Sequence, residues 1–225
     1  MREFTTELTS LTFKWTFERM LPFIPGPATP AFANLIKGLH PYGINASMIA
    51  IDTPSSILAD VVMTIAGLLD NRLLIRIRPN DLELFLKEFL IGDEEKLIDI
   101  LSLVFKAATE IDSDAMKGTV NFRSSSHLRL QPKELDALLQ EHLCLSNTID
   151  GLSPSSAAYK IDLGAEAKAE DMCVVIAKSL TYEEAVFIDI SADYRGPFDI
   201  AESAKIIETE FEKVMGLFGL VESSS

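Results

Sequence analysis

Leu11-Thr12-Phe13-Lys14-Trp15-Thr16-Phe17 alternates large apolar and polar side chains at a period of two. That period belongs to a strand with one face in a core and the other in water. Just beyond it, Pro22-Phe23-Ile24-Pro25-Gly26-Pro27-Ala28-Thr29-Pro30 carries four prolines. Without N–H groups and with φ fixed, this run predicts a stiff apolar loop over residues 22–30. A short helix around Ala31 to Leu39 follows it.

Three further runs read as strands: Asn45 to Asp52, Asp60 to Ala66 and Arg72 to Arg78, with Asp70-Asn71 as the turn between the last two. They predict an antiparallel meander. Asn80 with Glu83 three residues on resembles a capping box. Leu82, Phe85, Leu86, Phe89 and Leu90 then fall at helical spacing, so a helix is expected there, stopped by Gly92. Asp93 is expected to cap a second helix bearing Leu97, Ile100, Leu101, Val104 and Phe105.

The order then restarts. Gly118 to Phe122 reads as a strand, extended or paired through His127 to Leu130. Pro132 opens a helix with Leu135, Leu138, Leu139 and Leu143 on one face. Strands are expected at Ala157–Leu163, Met172–Leu180 and Ala185–Ala192. Asp199 and Glu202 form a capping pattern for a C-terminal helix with Ile200, Ile207, Phe211, Val214 and Phe218 inward. Phe13 aligns with Phe122 and Ile51-Asp52 with Ile161-Asp162, and later pairs keep offsets up to 113 residues. The expected fold is therefore α+β, with two β-α-β-β-β-α halves, 1–112 and 113–225, related by duplication about a pseudo-two-fold axis. Antiparallel sheets would carry helices on one face.

The chain has 225 residues, with 20 basic and 34 acidic side chains and a net charge of −14. The first 112 residues carry 10 basic and 15 acidic groups and the remainder 10 and 19. An acidic field in both halves repels nucleic acid and anionic lipid. Val61 to Leu69 is the longest apolar run and falls far short of the roughly 20 residues that span a bilayer. The acidic and hydroxyl residues near Met1 do not make a secretory signal, and two cysteines do not make a disulfide framework. A cytoplasmic protein with buried free thiols, Cys144 and Cys173, is expected.

No Gly-rich phosphate loop and no nucleophile elbow occurs. Glu141-His142-Leu143-Cys144 is too sparse for a metal site and is read as a core histidine beside a thiol. Asp93-Glu94-Glu95 and Glu208, Glu210 and Glu212 are read as helix-start and solvent-face charges. No metal and no cofactor is expected.

Two sets of residues stand out. Arg72, Arg76 and Arg78 share one strand face, and Asp189 and Asp193 share a face of the matching strand in the second half. Charge pairing between halves or between copies of the chain would use these five residues as an interface. Alternatively Arg76 and Arg78, with His127 and Arg129, would hold an anionic ligand, because guanidinium binds two oxygens at once. Phe13 and Trp15 would line an apolar pocket under the proline-rich loop.

The resulting expectation is a non-catalytic protein-interaction or ligand-binding module, with a small-molecule-binding protein or enzyme built on that pocket as the alternative. Its partner would be a protein or a small hydrophobic or anionic ligand, not nucleic acid or a membrane, and unpaired edge strands would favour a homodimer.

Overall fold

The computed structural model describes residues 1–22, 29–53, 60–90, 92–114, 117–143, 156–162, 164, 167–195 and 200–223. The fold is α+β, and among these residues ten strands, five α-helical segments and two short 3-10 turns follow one another. Their hydrogen-bonded order is β2-β3-β4-β5-β1-β6-β9-β8-β7, with β10 also on β1. The strands are β1 (Arg2–Thr16), β2 (Ile49–Asp52), β3 (Val62–Gly67), β4 (Leu73–Ile77), β5 (Asp81–Leu86), β6 (Thr119–Leu130), β7 (Ser156–Ile161), β8 (Ala169–Lys178), β9 (Ala185–Arg195) and β10 (Leu220–Glu222). The helical segments are α1 (Pro30–Leu39), α2 (Leu68–Asn71), α3 (Glu94–Ile111), α4 (Pro132–Leu143) and α5 (Ile200–Leu217).

The chain forms two compact units, one of Leu11–Phe122 with Asp193–Lys205 and the other of Met1–Ser10, Arg123–Ala192 and Ile206–Ser225. In the first, β2, β3, β4, β5 and the second part of β1 pair antiparallel in sequence. Register places Ile51, Met63, Ile77, Leu82 and Trp15 in one cross-strand row, and Ile49, Ile65, Ile75, Leu84 and Phe13 in the next. Apart from Ile49 and Ile51 on the end strand β2, every member of both rows is buried. Each buried aliphatic side chain contributes about 1.5–3 kcal/mol, so this face is the core. Helix α1 packs on α3, and Phe105 of α3 stacks on Trp15 with ring centroids 4.2 Å apart.

The expected helix over 80–92 is instead strand β5. Leu82, Leu84 and Leu86 are buried, a period of two that the apolar spacing concealed because Leu82, Phe85 and Leu86 also satisfy a helical stripe. The hairpin at Pro79-Asn80 decides between them: Arg78 N–H donates to the Asp81 carbonyl at 2.8 Å, and β5 then pairs on both sides, with β4 and β1. The first half accordingly runs β-α-β-β-β-β-α, one strand more than expected. The β3–β4 turn lies where Asp70-Asn71 predicted it, with Leu69, Asp70 and Asn71 all in the left-handed region.

In the second unit β7 pairs antiparallel with β8, and the first residues of β1 pair parallel with β10. Helix α4 buries Leu135, Leu138, Leu139 and Leu143, the predicted stripe, and packs on β7 and β8. Residues 119–130 form one uninterrupted strand. Cys173 is exposed on β8 and not buried as expected, because odd positions of this strand face away from the core that holds Met172, Val174 and Ile176. Residues 23–28 of the proline-rich loop, Cys144 and the capping pair Asp199 and Glu202 lie outside the described residues or side chains.

Candidate functional site

The open face of the first unit carries the arginines. Register aligns Thr64, Arg76, Glu83 and Lys14 across four strands. The row is therefore balanced by its own neighbours: Arg76 meets Glu83 at 3.4 Å, and Arg78 meets Asp81 at 2.7 Å and Glu83 at 3.5 Å. Such half-exposed pairs contribute at most about 1 kcal/mol each.

Arg72 is held far more firmly. Its guanidinium grips both carboxylate oxygens of Asp93 and donates to the Glu88 carbonyl at 2.7 Å. Asp93 also accepts from Leu90 N–H at 2.9 Å. This carboxylate makes no capping hydrogen bond to α3; it closes the loop between β5 and α3 onto the start of β4. The Arg72 guanidinium, followed by the Leu90 amide, holds its carboxyl below the usual range.

The second unit holds the other sequence-selected residues. Asp189 of β9 is buried and accepts from Arg123 Nε at 2.7 Å, Arg123 Nη2 at 2.8 Å and Ser125 Oγ at 2.6 Å. Arg129 pairs with Glu7 at 2.7 Å. His127 packs against the rings of Tyr182 and Phe187, each centroid 5.1 Å away. Its Nδ1 is 2.9 Å from Ser179 Oγ, which also accepts from the N–H groups of Thr181 and Tyr182. With both lone pairs of that oxygen taken, the hydroxyl proton points at Nδ1, so the network assigns a neutral imidazole protonated at Nε2. Burial lowers its pKa in the same sense.

Arg76 and Arg78 thus share one unit, and His127 and Arg129 the other. Asp193, in the first unit, accepts from Asn121 Nδ2 at 2.7 Å. The partners that sequence reasoning missed include Asp93, Arg123, Ser125 and Ser179, as well as Glu83 and Glu7. Arg123, Ser125, His127 and Arg129 fall on alternate residues of one strand, a signal that would have joined Arg123 to the set.

Phe13 and Trp15 are part of the packed core, Trp15 being fully buried. His142 packs against Tyr159 and Phe218, with Nδ1 3.2 Å from the tyrosine oxygen. Glu210, expected on a solvent face, is buried and accepts from Lys168 N–H at 2.7 Å. Among the described residues no group of three His, Cys, Asp or Glu side chains is arranged to hold a metal ion, and no helix is long and apolar enough to cross a membrane.

One open cleft of about 350 Å³ lies in the first unit, where β1 and β9 end and β6 begins. Thr16, Phe17, Glu18, Lys117, Thr119 and Arg195 line it. Gly118 brings two backbones together there: a Cβ at this position would lie 1.8 Å from the Thr16 carbonyl oxygen. The sequence drew no attention to these residues, because they converge only when three strand ends do. Compared with protein-family models and with curated proteins, the sequence matches none.

Proposed function

We propose that this chain is a non-catalytic binding module. The observation that carries the reading is that its candidate reactive groups are committed to internal pairs. Arg72 with Asp93 and Arg123 with Asp189 are bidentate, and Ser179 holds His127 neutral. A carboxylate already bound at both oxygens, or an imidazole without an accessible acidic partner, is poorly placed for proton transfer. The net charge of −14 makes a protein or small molecule the better partner than nucleic acid.

The small-molecule variant of this reading draws on the open cleft rather than on Phe13 and Trp15, whose rings contribute to the core. The test is capture of a partner followed by reconstitution from purified components. A defined complex, weakened by Arg76→Glu or Lys14→Glu on the open sheet face, supports the module. Turnover of a small molecule by the purified chain, detected by mass spectrometry of a metabolite extract, overturns it.

The same proposal includes descent by tandem duplication, a cytoplasmic location and a homodimer formed through edge strands. β2 and β7 stand at the two ends of the strand order, and exposed edges favour pairing with a second chain. Light scattering that shows a strict monomer at high concentration removes the dimer.

A further inference from the structure

We propose that His127 is a pH-sensitive latch on the turn between β8 and β9, and that its protonation frees the segment around Leu180. At neutral pH this turn hangs on one oxygen. Ser179 is buried; its Oγ accepts from the N–H groups of Thr181 at 3.2 Å and Tyr182 at 3.0 Å and gives its own proton to His127 Nδ1. The Tyr182 ring packs on the same imidazole. What the latch holds in place is the tip: Leu180 is fully exposed, so its position is set by the backbone on either side and not by packing of its own.

The chemistry of that oxygen makes the arrangement conditional. A serine hydroxyl has one proton and two lone pairs, whereas an imidazolium is a donor at both nitrogens. Once His127 is charged, three donors face two lone pairs, and one must be released. The ring is held by Tyr182 and Phe187, and Tyr182 is held by its ring as well as its N–H. Thr181 is exposed and makes the longest of these bonds, so its amide is the one that lets go. The ends of the turn do not rest on this oxygen: Ser179 N–H donates to the Ala185 carbonyl at 3.0 Å, and Leu130 N–H to the Glu184 carbonyl at 3.2 Å. The opening is confined to the residues between them.

The charged groups around the ring are spoken for or lie in water. On β6, Arg129 pairs with Glu7 of β1 and Arg123 with Asp189 of β9; Lys178 at the end of β8 and Glu183 and Glu184 in the turn are exposed. Burial lowers the pKa of His127, so the latch opens below the ordinary histidine value of about 6.5. The coupling is reciprocal: whatever loosens the turn raises that pKa. None of this depends on the chain being a binding module.

The experiment is a nuclear magnetic resonance titration of the full chain from about pH 8 to 5, following the His127 ring and the amides of Thr181 and Tyr182. The neutral ring should carry its proton on Nε2. On acidification the ring and both amides should shift with one common midpoint. Protection of the Thr181 amide from exchange should fall about tenfold, the loss of one hydrogen bond, while Val174 and Ile176 of β8 stay protected. His127→Gln, which accepts from Ser179 without titrating, should hold both amides fixed, and Ser179→Ala should raise the midpoint of the ring. A ring protonated at Nδ1 alone, a ring still neutral at the acid end, or amides that stay still while the ring titrates overturns the latch, and the wild-type chain alone decides these three. Amides that titrate unchanged in a folded His127→Gln chain overturn it as well.

Discussion

Arg72, the residue before β4, and Asp93, the residue before α3, are joined through both guanidinium Nη atoms and both carboxylate oxygens, with the side chains only 14% and 3% exposed. Removing one partner of such a pair strands a charge away from water, at a cost of about 3–5 kcal/mol. Asp93→Ala is therefore expected to lower the urea midpoint markedly. Replacing both residues by apolar ones of similar volume should recover much of the loss. A double variant less stable than either single one, in equilibrium urea unfolding, would refute the pair's role.

Acid should act on this protein in two windows. Burial lowers the pKa of His127, whose ring faces Ser179, Tyr182 and Phe187, and that of His142, where Glu141 partly opposes the shift. A histidine kept neutral by the fold contributes its full stability above an unfolded pKa of about 6.5 and loses it as pH falls below that value. Asp93 is shifted down by Arg72, so its contribution holds above an unfolded pKa of about 4 and is lost on further acidification. Melting temperatures measured from pH 8 to 3 should decline first below about 6.5 and again below about 4. His127→Gln, which can still accept from Ser179, should flatten the first decline; a melting temperature constant from pH 8 to 5 would contradict the assignment.

Gly118→Ala tests the backbone contact behind the cleft. The added methyl would meet the Thr16 carbonyl, which belongs to a paired strand and cannot swing aside as a side chain can. Overpacking of this kind costs about 3 kcal/mol or more. A denaturant midpoint unchanged by the substitution would show that the two strands do not approach so closely.

At the β3–β4 turn the sign should reverse. Asp70 is exposed and sits at φ +58°, where an L-residue is disfavoured by about 1–2 kcal/mol. Asp70→Gly relieves that cost and adds chain entropy to the unfolded state, for an expected net gain of about 0.5 kcal/mol. Thermal unfolding that shows a loss would mean that the aspartate side chain itself holds the turn.

Much of the architecture was legible in the chain, and for one reason: side-chain periodicity reports which face of an element meets a core. Phe13, Trp15 and Phe17 are buried as their alternation requires, and the leucines of α4 are buried as their helical spacing requires. Where one set of residues satisfies both periods, as over Leu82 to Leu86, periodicity is silent, and the hairpin at Pro79-Asn80 together with pairing on both edges made the strand. The first ten residues and Arg123 to His127 are polar on most positions. They lie in strands because neighbouring backbones supply their hydrogen bonds, not because of an apolar face of their own.

Apart from the local Arg78–Asp81 pair, the charge partners were decided by how strands and loops come together. The sequence placed Arg72, Arg76 and Arg78 on one face, and no local rule could tell that Glu83 would lie across from Arg76, that a loop would return Asp93 to Arg72, or that Arg123 would take Asp189. A side chain's face follows from its own strand, but its partner follows from which strand lies beside it and in what register. That choice is made over separations that run from 7 residues for Arg76 and Glu83 to 66 for Arg123 and Asp189, by hairpin register at the short end and by strand order at the long end.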